Sequence, residues 1–204
     1  KPDGWMLPFS TNDYYQNPYW SAYQDSQNDE RDRVTANANL KYDITDWLFV
    51  MGRLGTETSN LKVTNIDAYG FLRGNVAGTG AVAEYTTIDN QLNAEYSINF
   101  NKKFGSFNIV AMFGGSATRS YYNRDGISGD QLLIPFYHVI TNAGQLYTNV
   151  GNSNSGINSL YGSAEASYKD LVYLTVTGRN DWFSTLAPEN NSIFYPSIGV
   201  SYLL

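Results

Sequence analysis

Between residues 33 and 42 every second side chain is apolar or aromatic. Val34, Ala36, Ala38, Leu40 and Tyr42 fall on one face, and Arg33, Thr35, Asn37, Asn39 and Lys41 on the other. A period of two sustained this long predicts a β-strand with one apolar and one polar face. The pattern recurs after the short turn Asp43-Ile44-Thr45-Asp46, where residues 47–56 place Leu48, Val50, Gly52 and Leu54 together. It recurs over 88–100, with Ile88, Leu92, Ala94, Tyr96, Ile98 and Phe100 in phase against Asp89, Gln91, Asn93, Glu95 and Ser97. After the turn at 101–105, residues 106–118 return with Phe107, Ile109, Ala111 and Phe113 on one face. Residues 159–168 and 171–180 flank the two-residue turn Lys169-Asp170, and 194–204 form a seventh strand.

The intervening stretches 1–32, 57–87, 119–158 and 181–192 read as loops. Connections therefore alternate long and short. In a meander this puts every tight turn at one end of the sheet and every long loop at the other, as in outer-membrane β-barrels. Loops above about 15 residues are uncommon in compact domains unless they serve a function. The expected fold is all-β: about seven antiparallel strands of a transmembrane barrel. Polar faces rich in Asn, Gln, Glu and Ser would line a wet lumen. Tyr42 and Trp47, then Phe100, Phe104 and Phe107, then Tyr168 and Tyr173 cluster at the short turns, as an interfacial aromatic girdle would.

Composition narrows the function. A net charge of −6 argues against nucleic acid, whose phosphates need a basic surface. Cysteine is absent, so no disulfide framework or thiolate metal site is available. No run of eighteen apolar residues exists to form a transmembrane helix. The single histidine, His138, leaves no material for a His-based triad or multi-His metal site, and its place beside Phe136 and Tyr137 suggests loop packing. Asp25, Asp29, Glu30 and Asp32 are acidic enough for a Ca²⁺ site but lack EF-hand spacing. Asn152-Ser153-Asn154-Ser155-Gly156 reads as a flexible turn. No catalytic constellation is present, so an enzyme is not expected.

Three motifs resemble the SusC/RagA-type TonB-dependent transporters. They are Asn17-Pro18-Tyr19-Trp20 before a strand, Leu40-Lys41-Tyr42-Asp43-Ile44-Thr45-Asp46-Trp47-Leu48, and Arg179-Asn180-Asp181-Trp182-Phe183-Ser184-Thr185-Leu186 leading to Phe194-Tyr195-Pro196-Ser197. The last is similar to the family pattern R-x-D-W-S-S-x-L, with Phe183 in place of the first Ser. The resemblance implies a 22-stranded outer-membrane barrel with an N-terminal plug, of the kind found in Bacteroidetes. It also implies a SusD-like surface lipoprotein as lid, energy passed from TonB, and import of oligosaccharides or peptides. Residues 1–204 would then be barrel domain alone, one part of a larger protein that supplies the plug and the remaining strands.

Substrate contacts would come from loop aromatics and amides, which offer platforms for sugar C–H faces and donors for hydroxyls or peptide groups. Tyr121, Tyr122, Asn123 and Arg124 form the densest group, joined by Tyr69 and Arg73. Tyr19, Trp20, Arg179, Asp181 and Trp182 read as partner contacts or loop architecture, with an Arg179–Asp181 pair as a brace. Two other functions fit the composition. One is a soluble β-sheet carbohydrate-binding module, which the turn asymmetry opposes. The other is a passive porin or adhesin barrel, which a plug and TonB-contacting segment in the complete protein would exclude.

Overall fold

The computed structural model describes residues 6–7, 17–70, 72–73 and 76–203. The chain is a meander. Strands β1 (Ser26–Thr45), β2 (Leu48–Asp67), β5 (Ala81–Phe104), β6 (Phe107–Leu132), β7 (Ala143–Tyr168), β8 (Val172–Phe183) and β9 (Ser192–Tyr202) form a seven-stranded sheet in chain order. The two-residue strands β3 (Leu72–Arg73) and β4 (Val76–Ala77) form a separate small pair. Among the described residues no helix is long and apolar enough to cross a membrane, which says nothing about crossing by strands.

Several elements differ from the sequence expectation. Alternation marked about ten residues per strand, yet β5, β6 and β7 run for 24 to 26 residues. The supposed loops are largely continuations of the ladder. Main-chain pairing needs no apolar face, so a strand with polar residues on both sides leaves no two-residue signature. The acidic stretch from Ser26 onward is therefore the start of β1, and the Asn152–Gly156 run lies within β7. The first expected loop contains a helix, α1 (Pro18–Gln24). The Asn17 side chain caps it by accepting from the backbone N–H of Tyr19 at 3.0 Å and of Trp20 at 3.4 Å. Asn followed by Pro is an N-cap and first-turn signature.

Contacts divide the chain into two compact units. One holds the described residues of Lys1–Arg33, Ser59–Asp89 and Tyr122–Asn152; the other holds Val34–Thr58, Asn90–Tyr121 and Ser153–Leu204. The first has an apolar core in the usual sense, with Met6, Val63, Ala68, Val82 and Leu132 buried. Gly80 there takes φ +76° where a Cβ would meet Leu132 Cδ1 at 2.8 Å and the Asp67 carbonyl at 3.0 Å. Only glycine fits that approach.

The second unit is inverted. Its buried described residues are Gly114, Gly115, Ser159, Ser167 and Asp181, all polar or without a side chain. Its large apolar side chains face outward on inner strands too, with Phe113 on β6 53% and Val176 on β8 45% exposed. The register shows why. Across β7, β8 and β9 one face reads Ala166–Leu174–Val200, Ala164–Val176–Ile198 and Gly162–Gly178–Pro196. The other reads Glu165–Thr175–Gly199, Ser163–Thr177–Ser197 and Tyr161–Arg179–Tyr195.

The tight turns also belong to this unit. Three residues, Lys169 to Leu171, separate β7 from β8, one more than the sequence suggested. The Leu171 N–H donates to the Tyr168 carbonyl at 3.0 Å, and Lys169 and Asp170 both take positive φ, +51° and +57°, the primed turn geometry that matches strand twist. Aromatic rings meet there. Trp47 packs edge-on against Phe100 at 5.3 Å, Phe100 stacks with Phe104 at 6.4 Å, and Phe107 lies 4.8 Å from Tyr168. Lys102 sits over Trp47 at 4.5 Å and Lys169 over Tyr168 at 5.3 Å, so the turn carries cations beside its rings.

Candidate functional site

The polar face of the second unit carries a continuous chain of side chains running across the strands. Arg53 on β2 donates through Nε to Asn39 Oδ1 on β1 at 3.0 Å, and through Nη1 to Glu95 Oε2 on β5 at 3.3 Å. The other Glu95 oxygen accepts a short hydrogen bond from the Tyr161 hydroxyl on β7. The guanidinium of Arg179 on β8 lies 5.7 Å from the Tyr161 ring, donates through Nε to Asp181 Oδ1 at 2.8 Å, and through Nη2 to Ser159 Oγ at 3.0 Å. One glycine makes this possible. A Cβ on Gly114 of β6 would stand 2.5 Å from the Tyr96 carbonyl oxygen and 3.0 Å from Tyr161 Cε2. Without it, the Tyr161 ring lies across β6 and reaches Glu95 one strand further on.

The ladder is half-wet. Asp181 has a side chain only 10% exposed, whereas those of Arg53 and Glu95 are 57% and 40% exposed. Charged hydrogen bonds of this kind hold a strand face in register while leaving donors and acceptors open to water or a passing solute. Glu95, Tyr161, Arg53 and Asn39 were not singled out by sequence. The available signal was that Glu95 and Asn39 fall on polar faces.

The expected loop residues lie elsewhere. Tyr121, Tyr122, Asn123 and Arg124 are on β6, not on a loop, so alternation splits them. Asn123 donates to Asp125 Oδ2 at 2.7 Å on one side. On the other, Arg124 stacks 3.9 Å from the Tyr85 ring, with a buried Nε that has no hydrogen-bond partner among the described residues. Tyr69 packs edge-on against Phe136 at 5.6 Å, and its backbone N–H donates to His138 Nε2 at 3.5 Å, so His138 packs this loop. Arg73 is on β3, with its side chain outside the described residues. Tyr19 and Trp20 stand on α1, where Tyr19 is 76% exposed. Arg179, Asp181 and Trp182 are on β8, which extends further than expected.

The acidic residues do not converge. Asp25 is the C-cap of α1 and accepts from the Ala68 N–H at 3.0 Å, while Asp29 lies on the opposite face of β1 from Glu30 and Asp32. Among the described residues no group of three or more His, Cys, Asp or Glu is placed to hold a metal ion.

No family model matches the sequence. A curated relative, TonB-dependent receptor P3 of Formosa agariphila, is 23% identical over 98% of this chain and 20% of its own length. The chain thus spans about a fifth of that relative. The solved structure of the RagAB peptide transporter superposes with TM-score 0.81 at 12% identity, covering 96% of this chain and 22% of that one. The chain has the fold of a SusC/RagA-type TonB-dependent barrel segment. BauA, the ferric preacinetobactin receptor of Acinetobacter baumannii, shares the fold more loosely, with TM-score 0.55 at 15% identity over 85% of this chain and 28% of its own. In outer-membrane barrels an apolar face meets lipid and a polar face meets the lumen, and the ladder from Asn39 to Asp181 lies on the polar face of this sheet.

Proposed function

We propose that the chain is part of the barrel wall of a TonB-energised importer in the outer membrane of a Gram-negative bacterium, of the Bacteroidetes kind. The importer takes up oligosaccharides or peptides together with a SusD-like surface lipoprotein. TonB would engage the N-terminal part of the complete protein, and residues 1–204 would all belong to its barrel domain. The observation that carries this reading is the inverted burial of the second unit, with Phe113, Leu174 and Val176 exposed on inner strands and Ser159, Ser167 and Asp181 buried. A water-soluble module would bury the first set. The name of the Formosa agariphila relative supports energy coupling, and the likeness to a peptide transporter supports peptide cargo.

Substrate contacts are proposed at Tyr69, Arg73, Tyr122 and Arg124. The tip Leu133–Tyr137 suits the lipoprotein. Leu133, Ile134, Phe136 and Tyr137 are exposed, yet buried Asn142 holds the tip by donating to the carbonyls of Ile134 at 2.8 Å and Tyr137 at 2.7 Å. A pre-ordered apolar tip loses little entropy on docking.

The test is uptake of labelled peptides and labelled oligosaccharides by cells carrying the complete protein, with and without a protonophore. Energy-dependent uptake of one class, lost on deletion, is expected. Uptake that persists with the protonophore would make the barrel a passive pore and overturn the proposal.

A further inference from the structure

Above the apolar face of the second unit lies an outward cationic position with no acidic partner among the described residues. Arg119 on β6 is exposed and donates through Nη1 to the carbonyls of Thr118 at 2.8 Å and Ile157 at 3.5 Å, and through Nη2 to Asn158 Oδ1 at 2.9 Å. All three acceptors are neutral, so the guanidinium charge is uncompensated among the described residues. The side chain lies over Gly156, where a Cβ would stand 3.0 Å from Nη1 and 3.1 Å from Cδ. Its face is fixed by the register. Asn158 opposes Trp182 and shares the side of β7 that carries Leu160, Ala164 and Ala166, the apolar side.

Arg119 lines two grooves. One, of about 380 Å³, is lined by Asn154, Asn158, Trp182, Ser184 and Asn191; the other, of about 290 Å³, by Asn90, Leu92, Ser120 and Tyr121. From the turn at Lys169-Asp170 up β7 to Asn158, a strand tilted some 40° rises roughly 28 Å. An outer-membrane barrel has an apolar band about 25 Å tall. Arg119 therefore stands just beyond the band, beside Trp182 and Tyr121, where amphipathic rings settle at headgroup level.

We propose that Arg119 and its two grooves bind a phosphate-bearing lipid headgroup of the outer leaflet. This assignment rests on the barrel reading above and adds a ligand to its outer wall. The unpaired guanidinium takes the phosphate, the amides of Asn154, Asn158 and Asn191 take neighbouring hydroxyl or carbonyl groups, and the acyl chains lie down the apolar face.

The complete protein, purified in mild detergent, is offered diphosphorylated lipid A or its dephosphorylated form, and retained lipid is counted by native mass spectrometry. Wild type is expected to retain the phosphorylated form about five-fold better than R119Q, with no difference for the dephosphorylated form. G156V keeps the charge but displaces the guanidinium, and is expected to lose retention as R119Q does. Equal retention by wild type and R119Q overturns the proposal, as does full competition by inorganic phosphate, which would mark a free-anion site. Heat-modifiable gel migration separates the two readings. A wild-type barrel that migrates normally but does not discriminate the lipids sinks the lipid site alone, whereas wild type without such migration sinks the barrel reading and the site together.

Discussion

Glu95 accepts from Arg53 on one side and Tyr161 on the other, and the second contact exists because Gly114 has no side chain. Removing the acceptor strands two donors on a half-wet face. Glu95→Ala should lower barrel stability by about 1–3 kcal/mol and Tyr161→Phe by about 1 kcal/mol, read from urea midpoints of the complete protein in detergent. If the ladder acts as a unit, the double variant should cost less than the two losses added together. Gly114→Ala is a harsher change, because its Cβ would meet the backbone oxygen of Tyr96, which cannot swing away. The folded, heat-modifiable fraction should fall sharply, whereas Gly52→Ala, with nothing within 4 Å, should leave it unchanged. A Gly114→Ala barrel that assembles normally would contradict this account. Alternation placed Glu95 on a polar face, but it could not pair Glu95 with Tyr161, 66 residues away and across an intervening strand. That pairing depends on register, which follows from hairpin stagger and not from any local pattern.

At the scale of elements, the strands were legible where one face is apolar and illegible where both are polar. Residues 159–168 announced themselves, while 143–158 of the same strand did not. The helix after Asn17 carried its capping signature in plain view, but a seven-residue helix without an apolar stripe has no periodicity to betray it. The tight turn after β7 is one residue longer than the alternation predicts, with Leu171 also between the strands, and its residues are unusual ones for the geometry they adopt. Lys169 and Asp170 both hold positive φ, a conformation that Asn-Gly takes more readily. Replacing the pair by Asn-Gly should stabilise the β7–β8 hairpin by roughly 0.5–1 kcal/mol. The Lys103–Asp170 ion pair lost in the exchange is 3.7 Å long and exposed, so it offsets little of that gain. Slower thermal loss of the folded gel form is the expected readout, and faster loss would show that the Lys169–Tyr168 contact matters more than backbone strain.

For the whole molecule, the question is which medium each face of the sheet meets, and two adjacent residues decide it. Val176 stands between Ala164 and Ile198 on the apolar face, about midway up the expected apolar band, and is 45% exposed. Its neighbour Thr177 stands between Ser163 and Ser197 on the polar face. In water an exposed Val→Arg change on a sheet would cost a few tenths of a kcal/mol. Against hydrocarbon at mid-depth, an Arg on the lipid face of a barrel costs about 2–4 kcal/mol. Val176→Arg should therefore impair membrane assembly of the complete protein, while Thr177→Arg, one residue along the same strand, should assemble nearly as wild type. Assembly measured by folding into lipid vesicles compares them directly. Equal tolerance would mean that both faces see water. The exposed apolar rows of β7 to β9 would then have to be covered by protein, and the lipid-facing wall, with the headgroup position above it, would be lost. Equal intolerance would mean that the polar face is tightly packed, most simply by a plug, and the ladder from Asn39 to Asp181 would then be a docking surface and not an open channel wall.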